Sequence, residues 1–474
     1  MPVVRLVLCA AAWMAAATAG AAAGERLPPE AERALQRARV PEQALSVVIR
    51  DLGRGRDVLS LQAQRPVNPA SLTKLLTTYA ALDQLGPAWT WATPVWLQGT
   101  LSDGVLDGSL VIKGSGDPKL VIERVWLLLR RVQQMGVREI RGDIVLDNSA
   151  FALTEGTPAD FDGEATRPYN AQPAALLLNY KAVIYTFVPD PAAGVARVLT
   201  EPALAGSVVD RTVPLAAGAC DDWRTALKAS FGERVRFAGS YAASCGEQAW
   251  ALADPQPATY NARLVEALWK EMGGRLAGSV REGAAPAAAP SFEWRSPPLA
   301  EVVRDINKFS NNLMAQQLFY TLDLVRHPGQ PATAAGAREL LRRWLTDKLG
   351  ELPPDVVIDN GSGLSRDTRL SAALLARLLT LAFDSPLMPE LMASLPISGI
   401  DGTQRRPRQA PGAAGRAHLK TGSLRDVSAV AGYVISDSGR RYVLAAIIQH
   451  PNANAARPAL DALLQWTLRD APRP

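Results

Sequence analysis

The chain has 474 residues, enough for two or three domains with sizeable cores. With 48% hydrophobic and 20% charged residues it is globular in composition, which excludes a disordered chain. Its 51 Lys and Arg against 46 Asp and Glu leave a mild +5, spread along the chain, so nucleic acid is not an expected partner. Weak attraction to anionic envelope polymers is compatible with that balance. The tightest basic cluster, Arg405-Arg406-Pro407-Arg408, reads as a solvated loop. The three histidines, His327, His418 and His450, are dispersed, so no metal-ligand spacing arises and neither a metal nor a cofactor is expected.

Taken in order, the chain opens with Arg5, an apolar stretch from Leu6 to Ala19, and Ala21-Ala22-Ala23. This pattern predicts an exported protein whose signal peptide, residues 1–23, is removed. The apolar stretch is shorter than the ~20 residues of a spanning helix, and the tail from Arg469 to Pro474 is polar, so no stable membrane anchor is expected. Cys9 leaves with the signal. Cys220 and Cys245 remain, and in an oxidising compartment they suggest one disulfide across 245 − 220 = 25 residues, the alternative being two buried thiols.

A charged helix from Arg26 to Arg39 is followed by strands Leu45 to Ile49 and Val58 to Leu61, joined as a hairpin through Gly53-Arg54-Gly55. Next comes Pro69-Ala70-Ser71-Leu72-Thr73-Lys74-Leu75-Leu76, a Ser-x-x-Lys tetrad heading a helix that Gly86-Pro87 stops. Leu75, Leu76, Tyr79 and Leu82 would pack this helix inward. Residues three apart share a helix face, so the Lys74 amine can reach the Ser71 hydroxyl. A serine hydroxyl needs such a base, and a desolvated lysine near another cation can be neutral enough to serve. The helix N-terminus also favours the negative charge of an oxyanion.

Beyond Gly86 the chain turns strand-rich, with Leu110 to Lys113, a helix from Val121 to Met135, and Ile144 to Asp147. Trp89, Trp91 and Trp96 read as core. Short β-like runs fill Pro168 to Gly246; a helix, Tyr260 to Met272, and a low-complexity linker, Gly283 to Pro290, close the section. Helices then follow at Leu299 to Ile306, Leu313 to Leu324, Ala334 to Leu349 and Leu370 to Phe383. Strands at Ala417 to Lys420, Ala429 to Ile435 and Tyr442 to Ile448 precede a last helix, Ala459 to Leu468. Strands at both ends with helices between predict one α/β (α+β) domain, 24–95 and 290–474, interrupted by an insertion at 96–289 that could form two lobes.

Two further motifs follow the tetrad in order: Ser310-Asn311-Asn312 and Lys420-Thr421-Gly422. Alone, the first is most often a helix cap and the second a turn. Together with Ser71 and Lys74 they resemble the motif set of penicillin-binding proteins. The large insert after the Ser-x-x-Lys helix is similar to that of the class C, low-molecular-mass group, the D-alanyl-D-alanine carboxypeptidase/endopeptidases of the S13 peptidase type. Gly114-Ser115-Gly116-Asp117-Pro118, Asp359 to Arg366, Gly399-Ile400-Asp401-Gly402-Thr403 and Gly415 to Leu424 add to the resemblance.

The resemblance implies a β-lactamase/transpeptidase-like fold and a periplasmic serine DD-peptidase acting on peptidoglycan stem peptides, acylated by β-lactams. Ser71 would be the nucleophile and Lys74 its base. Ser310 would relay a proton to the leaving amine, and Asn312 would hold Lys74 and the substrate amide. Lys420 and Thr421 would bind the terminal carboxylate, Gly422 would permit close approach, and Ser423 with Ser71 would supply oxyanion N–H groups. Asp359 to Ser365 and Ser398 to Thr403 become cleft-adjacent, and His418 a rim residue. Two alternatives stay open. A serine β-lactamase needs rapid deacylation, for which class A enzymes use a glutamate; none of Glu339, Glu351 or Glu390 begins the Glu-x-x-x-Asn pattern of those enzymes. A non-catalytic envelope scaffold on the same fold is the other. The motifs do not separate carboxypeptidase, endopeptidase and transpeptidase, and oligomeric state is not legible.

Overall fold

The computed structural model describes residues 26–471 other than 154–155, 233, 407–409 and 411. The apolar amino-terminal segment with Cys9, the end of the basic cluster at Pro407-Arg408 and the last three residues of the tail lie outside the described residues. Among the described residues, no helix is long and apolar enough to cross a membrane.

The two ends of the chain build one antiparallel sheet of five strands, in the order Ala417–Leu424, Val427–Ile435, Arg441–Gln449, Leu45–Asp51, Arg56–Leu61. Its central strands read as unbroken apolar runs because both faces are covered. Val443, Ala445 and Ile447 enter one core, while Tyr442, Leu444, Ala446 and Ile448 enter the other. Helices Thr73–Leu85, Leu299–Phe309, Asn312–Arg326, Ala334–Leu349 and Ala372–Phe383 share the first core. The terminal helices Pro29–Arg37 and Arg457–Leu468 cover the second. The fold is therefore mixed helix and sheet, with the site-bearing segments on the first face.

The helix Thr73–Leu85 is the centre of that face. The sequence pattern assigns it one inward stripe, yet every residue from Thr73 to Leu82 is buried. Its threonines explain the difference, because each buried hydroxyl finds an acceptor within reach. Thr73 donates to the Ala70 carbonyl at 2.9 Å, Thr77 to Gly361 at 2.6 Å and Thr78 to Lys74 at 2.6 Å. Burying Leu75, Leu76 and Tyr79 contributes roughly 1.5–3 kcal/mol per side chain, which anchors the helix against the sheet.

Between the two halves of this fold run a seven-stranded sheet, a five-stranded sheet and a three-stranded sheet. They share one apolar core that includes Val95, Ile144, Phe187, Tyr241 and Trp269. Cys220 and Cys245 are bonded here, with Cα atoms 4.8 Å apart. Trp91 and Trp96 are buried, and the Trp91 indole donates to Thr321 Oγ1 at 3.0 Å. The return from this region differs from the sequence-based boundary at 290. Phe292–Arg295 pairs antiparallel with Ala92–Ser102, continuing the inserted sheet past the low-complexity linker. The chain re-enters the helical face only at Leu299.

Candidate active site

Ser71 lies in a short 3₁₀ turn, Ala70–Leu72, that leads directly into Thr73–Leu85. Lys74 is fully buried one turn on, its Nζ 3.1 Å from Ser71 Oγ. The amine also donates to Asn312 Oδ1 at 2.7 Å and to the Ser362 carbonyl at 2.5 Å. Burial and, second, the charge of Lys420 hold Lys74 well below the ordinary lysine range. A neutral amine has two N–H groups and one lone pair. With both N–H groups directed at carbonyl oxygens, the lone pair is left for the Ser71 hydroxyl, which is the geometry of a general base.

Ser310 and Asn312 owe their placement to a break between two helices. Leu299–Phe309 ends at Ser310, which takes the left-handed conformation (φ 56, ψ 38). Asn311 then caps the next helix by accepting the Met314 N–H at 3.0 Å. Asn312 begins that helix and faces Lys74. The Ser-Asn-Asn sequence is thus a helix cap and a site motif at once.

Lys420 sits on the edge strand Ala417–Leu424, fully buried, and donates to Ser310 Oγ at 2.9 Å and to the Thr421 carbonyl at 2.7 Å. Burial pushes its amine down to about 7. By the alternation of the strand it shares a face with Gly422, while Ala417 and Leu419 point into the other core, so its amine sits on the side of Ser310 and Lys74. Gly422 is needed for contact: a Cβ there would lie 2.7 Å from the Pro69 carbonyl and 3.2 Å from Ser71 N. The Ser423 side chain turns to Arg457, whose Nη2 donates to it at 3.2 Å. His418 directs Nδ1 to the Met392 carbonyl at 3.1 Å, and burial lowers its pKa.

Ser71, Lys74, Ser310, Asn312, Lys420, Thr421 and Gly422 are therefore drawn into one cleft. Four further residues touch these groups or one another: Ser362 and Thr403 belong to the two stretches expected beside the cleft, whereas Gln316 and Tyr169 were not singled out from the sequence. The Ser362 carbonyl is a backbone group without a residue signature. Gln316 donates to Ser362 Oγ at 3.4 Å, and its spacing of four from Asn312 was a legible signal. Thr403 Oγ1 lies 3.3 Å from Thr421 Oγ1, at the end of the Gly399 to Thr403 stretch. The inserted region reaches the site through Tyr169, whose carbonyl accepts from Asn312 Nδ2 at 3.5 Å. Nothing in the sequence around Tyr169 points there. Of the glutamates considered for deacylation, Glu339 pairs with Arg343 along its own helix and Glu351 is exposed.

The chain is 27% identical over 418 residues to a D-alanyl-D-alanine carboxypeptidase of Actinomadura sp. (strain R39), covering 83% of this chain and 75% of that one. It is 24% identical over 376 residues to the D-alanyl-D-alanine carboxypeptidase DacB of Haemophilus influenzae, covering 78% of each. The crystal structure of penicillin binding protein 4 (dacB) from H. influenzae superposes with a TM-score of 0.74 at 21% identity, over 92% of this chain and 99% of that one. A predatory peptidoglycan endopeptidase of Bdellovibrio bacteriovorus shares the fold at a TM-score of 0.52 and 15% identity, over 90% and 92%. The model of the D-Ala-D-Ala carboxypeptidase 3 (S13) family matches residues 30–469, and the chain belongs to that family of serine peptidases.

Proposed function

We propose that this chain is an exported serine DD-peptidase that cleaves D-Ala-D-Ala termini or D-alanyl cross-links of peptidoglycan in the periplasm, with β-lactams as acylating inhibitors. Ser71 Oγ attacks the carbonyl of the penultimate D-alanine as its proton passes to Lys74. The C–O bond forms, the tetrahedral oxyanion is held by the Ser71 and Ser423 N–H groups, and the C–N bond breaks. Ser310 relays the proton taken by Lys74 to the departing amine, leaving Lys74 neutral and its own hydroxyl intact, and water then hydrolyses the ester to free Ser71. Lys420, Thr421 and Ser310 receive the carboxylate beside the scissile bond. An amino-terminal half of the peptidase domain at 24–95 joins a second half that begins near Leu299, with the inserted region between them. Stem peptides and β-lactams are the partners of this reading.

The observation that carries it is the Lys74 amine, fully buried, with two carbonyl acceptors and the Ser71 hydroxyl as its third contact. Purified mature protein labelled with a fluorescent penicillin, followed by intact mass, tests it. One stable adduct, lost in Ser71→Ala, is expected. Absence of any adduct on the wild type would refute Ser71 as the nucleophile, and steady consumption of penicillin would indicate a β-lactamase instead.

A further inference from the structure

Ala70, the residue before the nucleophile, has φ 47. An alanine enters that left-handed region against the clash of its own Cβ, so the surroundings must hold it there. Its conformation sets the direction in which the Ser71 N–H and the first helical turn point. Asn68 does the holding. Its Oδ1 accepts the Ala70 N–H at 2.9 Å, across Pro69, which has no N–H of its own to offer. Its Nδ2 donates to the Ser365 carbonyl at 2.8 Å, and its backbone N–H donates to Gln449 Oε1 at 3.0 Å. The side chain is buried, with 4% of Asn68 exposed, so these bonds do not compete with water.

The same peptide is enclosed on two further sides. A Cβ at Gly363 would lie 1.9 Å from the Ala70 carbonyl oxygen and 3.0 Å from Ser71 N, and Gly422 approaches Ser71 N from the edge strand. Gly363 follows Ser362, whose carbonyl takes a Lys74 N–H. The loop that Asn68 grips through Ser365 is therefore the loop that orients the base. One side chain ties the turn bearing the nucleophile to the loop fixing the lysine.

We propose that Asn68 is a positioning residue for acylation: by holding Ala70 left-handed and gripping the Ser365 carbonyl, it aims Ser71 at Lys74 and at the substrate carbonyl. The proposal rests on the reading of Ser71 as nucleophile. Rapid-mixing measurements with a fluorescent penicillin separate the affinity of the first complex from the acylation rate constant. In Asn68→Ala, acylation is expected to slow about 10- to 100-fold with the first complex within about twofold of wild type, as for a small misplacement of reacting groups. Asn68→Asp keeps the acceptor for the Ala70 N–H and is expected to recover part of the rate. In Asn68→Ala with Ala70→Gly, glycine tolerates the positive φ and restores melting temperature, but it frees the turn and leaves acylation slow. A merely structural role would move rate and melting temperature together. Acylation within about twofold of wild type in folded Asn68→Ala, or its recovery in step with stability in the double variant, would overturn the proposal. If Asn68→Ala does not fold, Asn68→Ser, too short to reach Ser365, is judged by the same rate. No adduct on the wild type would instead overturn the assignment of Ser71.

Discussion

Lys420→Met removes an amine that folding strips of water. Burial lowers Lys420 from 10.5 to about 7, so the unfolded chain binds this proton more tightly than the folded one. Stability then rises with pH across the interval between those values. The contribution is complete above 10.5 and is lost as pH falls to about 7; the difference, 10.5 − 7 = 3.5, corresponds to about 5 kcal/mol at 1.36 kcal/mol per pH unit. Methionine has a similar length and nothing to desolvate. The variant is therefore expected to be more stable than wild type near pH 7 by several kcal/mol, a gap that narrows by about 1.4 kcal/mol per pH unit toward pH 10. Urea unfolding of both proteins from pH 6 to 10 at fixed ionic strength measures it. Losing the Lys420 charge also relieves Lys74, so the acid limb of the acylation rate moves to higher pH even as acylation slows. A variant less stable than wild type at pH 7, or a gap independent of pH, would refute the reasoning. It would mean that Ser310 and Thr421 compensate the ammonium fully.

Asn312→Ala removes one of the two carbonyl oxygens that take Lys74 N–H groups. Penicillin acylation is expected to fall at least about 10²-fold, read by stopped flow, and a rate near wild type would show that Ser362 alone orients the amine. Asp401→Asn leaves Lys308, 3% exposed, without the carboxylate now 2.6 Å from its Nζ. About 3–5 kcal/mol of stability should be lost in urea unfolding, and an unchanged midpoint would contradict that. Cys220→Ser with Cys245→Ser opens a 25-residue separation and should cost about 3 kcal/mol in unfolding of the inserted region while penicillin labelling persists. Loss of labelling would tie that region to the cleft more tightly than the Tyr169 contact suggests.

The sheet and its helices were legible because burial imposes periods on sequence. The apolar run Tyr442 to Ile448 read as a strand, and Asn311 followed by Leu313 and Met314 marks a helix start. What escaped detection was set by partners far along the chain. Phe292–Arg295 has the alternation of a strand, but its mate, Ala92–Ser102, lies about two hundred residues earlier, and the Ala-Pro-rich linker before it looked like a boundary. Ser362 acts through a carbonyl that any residue would supply. Asn68 was hidden differently, since its role depends on the left-handed Ala70, and no residue type announces a strained alanine.

The long insertion is compatible with a site this exact because closing a chain loop costs little more as the loop lengthens. Ser71 and Ser310 are 310 − 71 = 239 residues apart, while Ser310 and Lys420 are 110 apart. The longer closure costs only about 0.7 kcal/mol more, less than one well-made buried hydrogen bond to a charged group. What fixes the cleft is local instead: the left-handed Ser310, the Asn311 cap and the glycines that let Asp359 to Ser365 and the edge strand touch the nucleophile turn. The inserted region could then diverge freely wherever it does not meet that cleft. It does meet it at Tyr169, and at Phe161, whose ring lies 4.4 Å from the Arg366 guanidinium at the end of the base-orienting loop. These contacts lie beside Asn312 and the loop that holds Lys74, so changes in the insertion there bear on the groups that orient the base, while changes elsewhere in it do not.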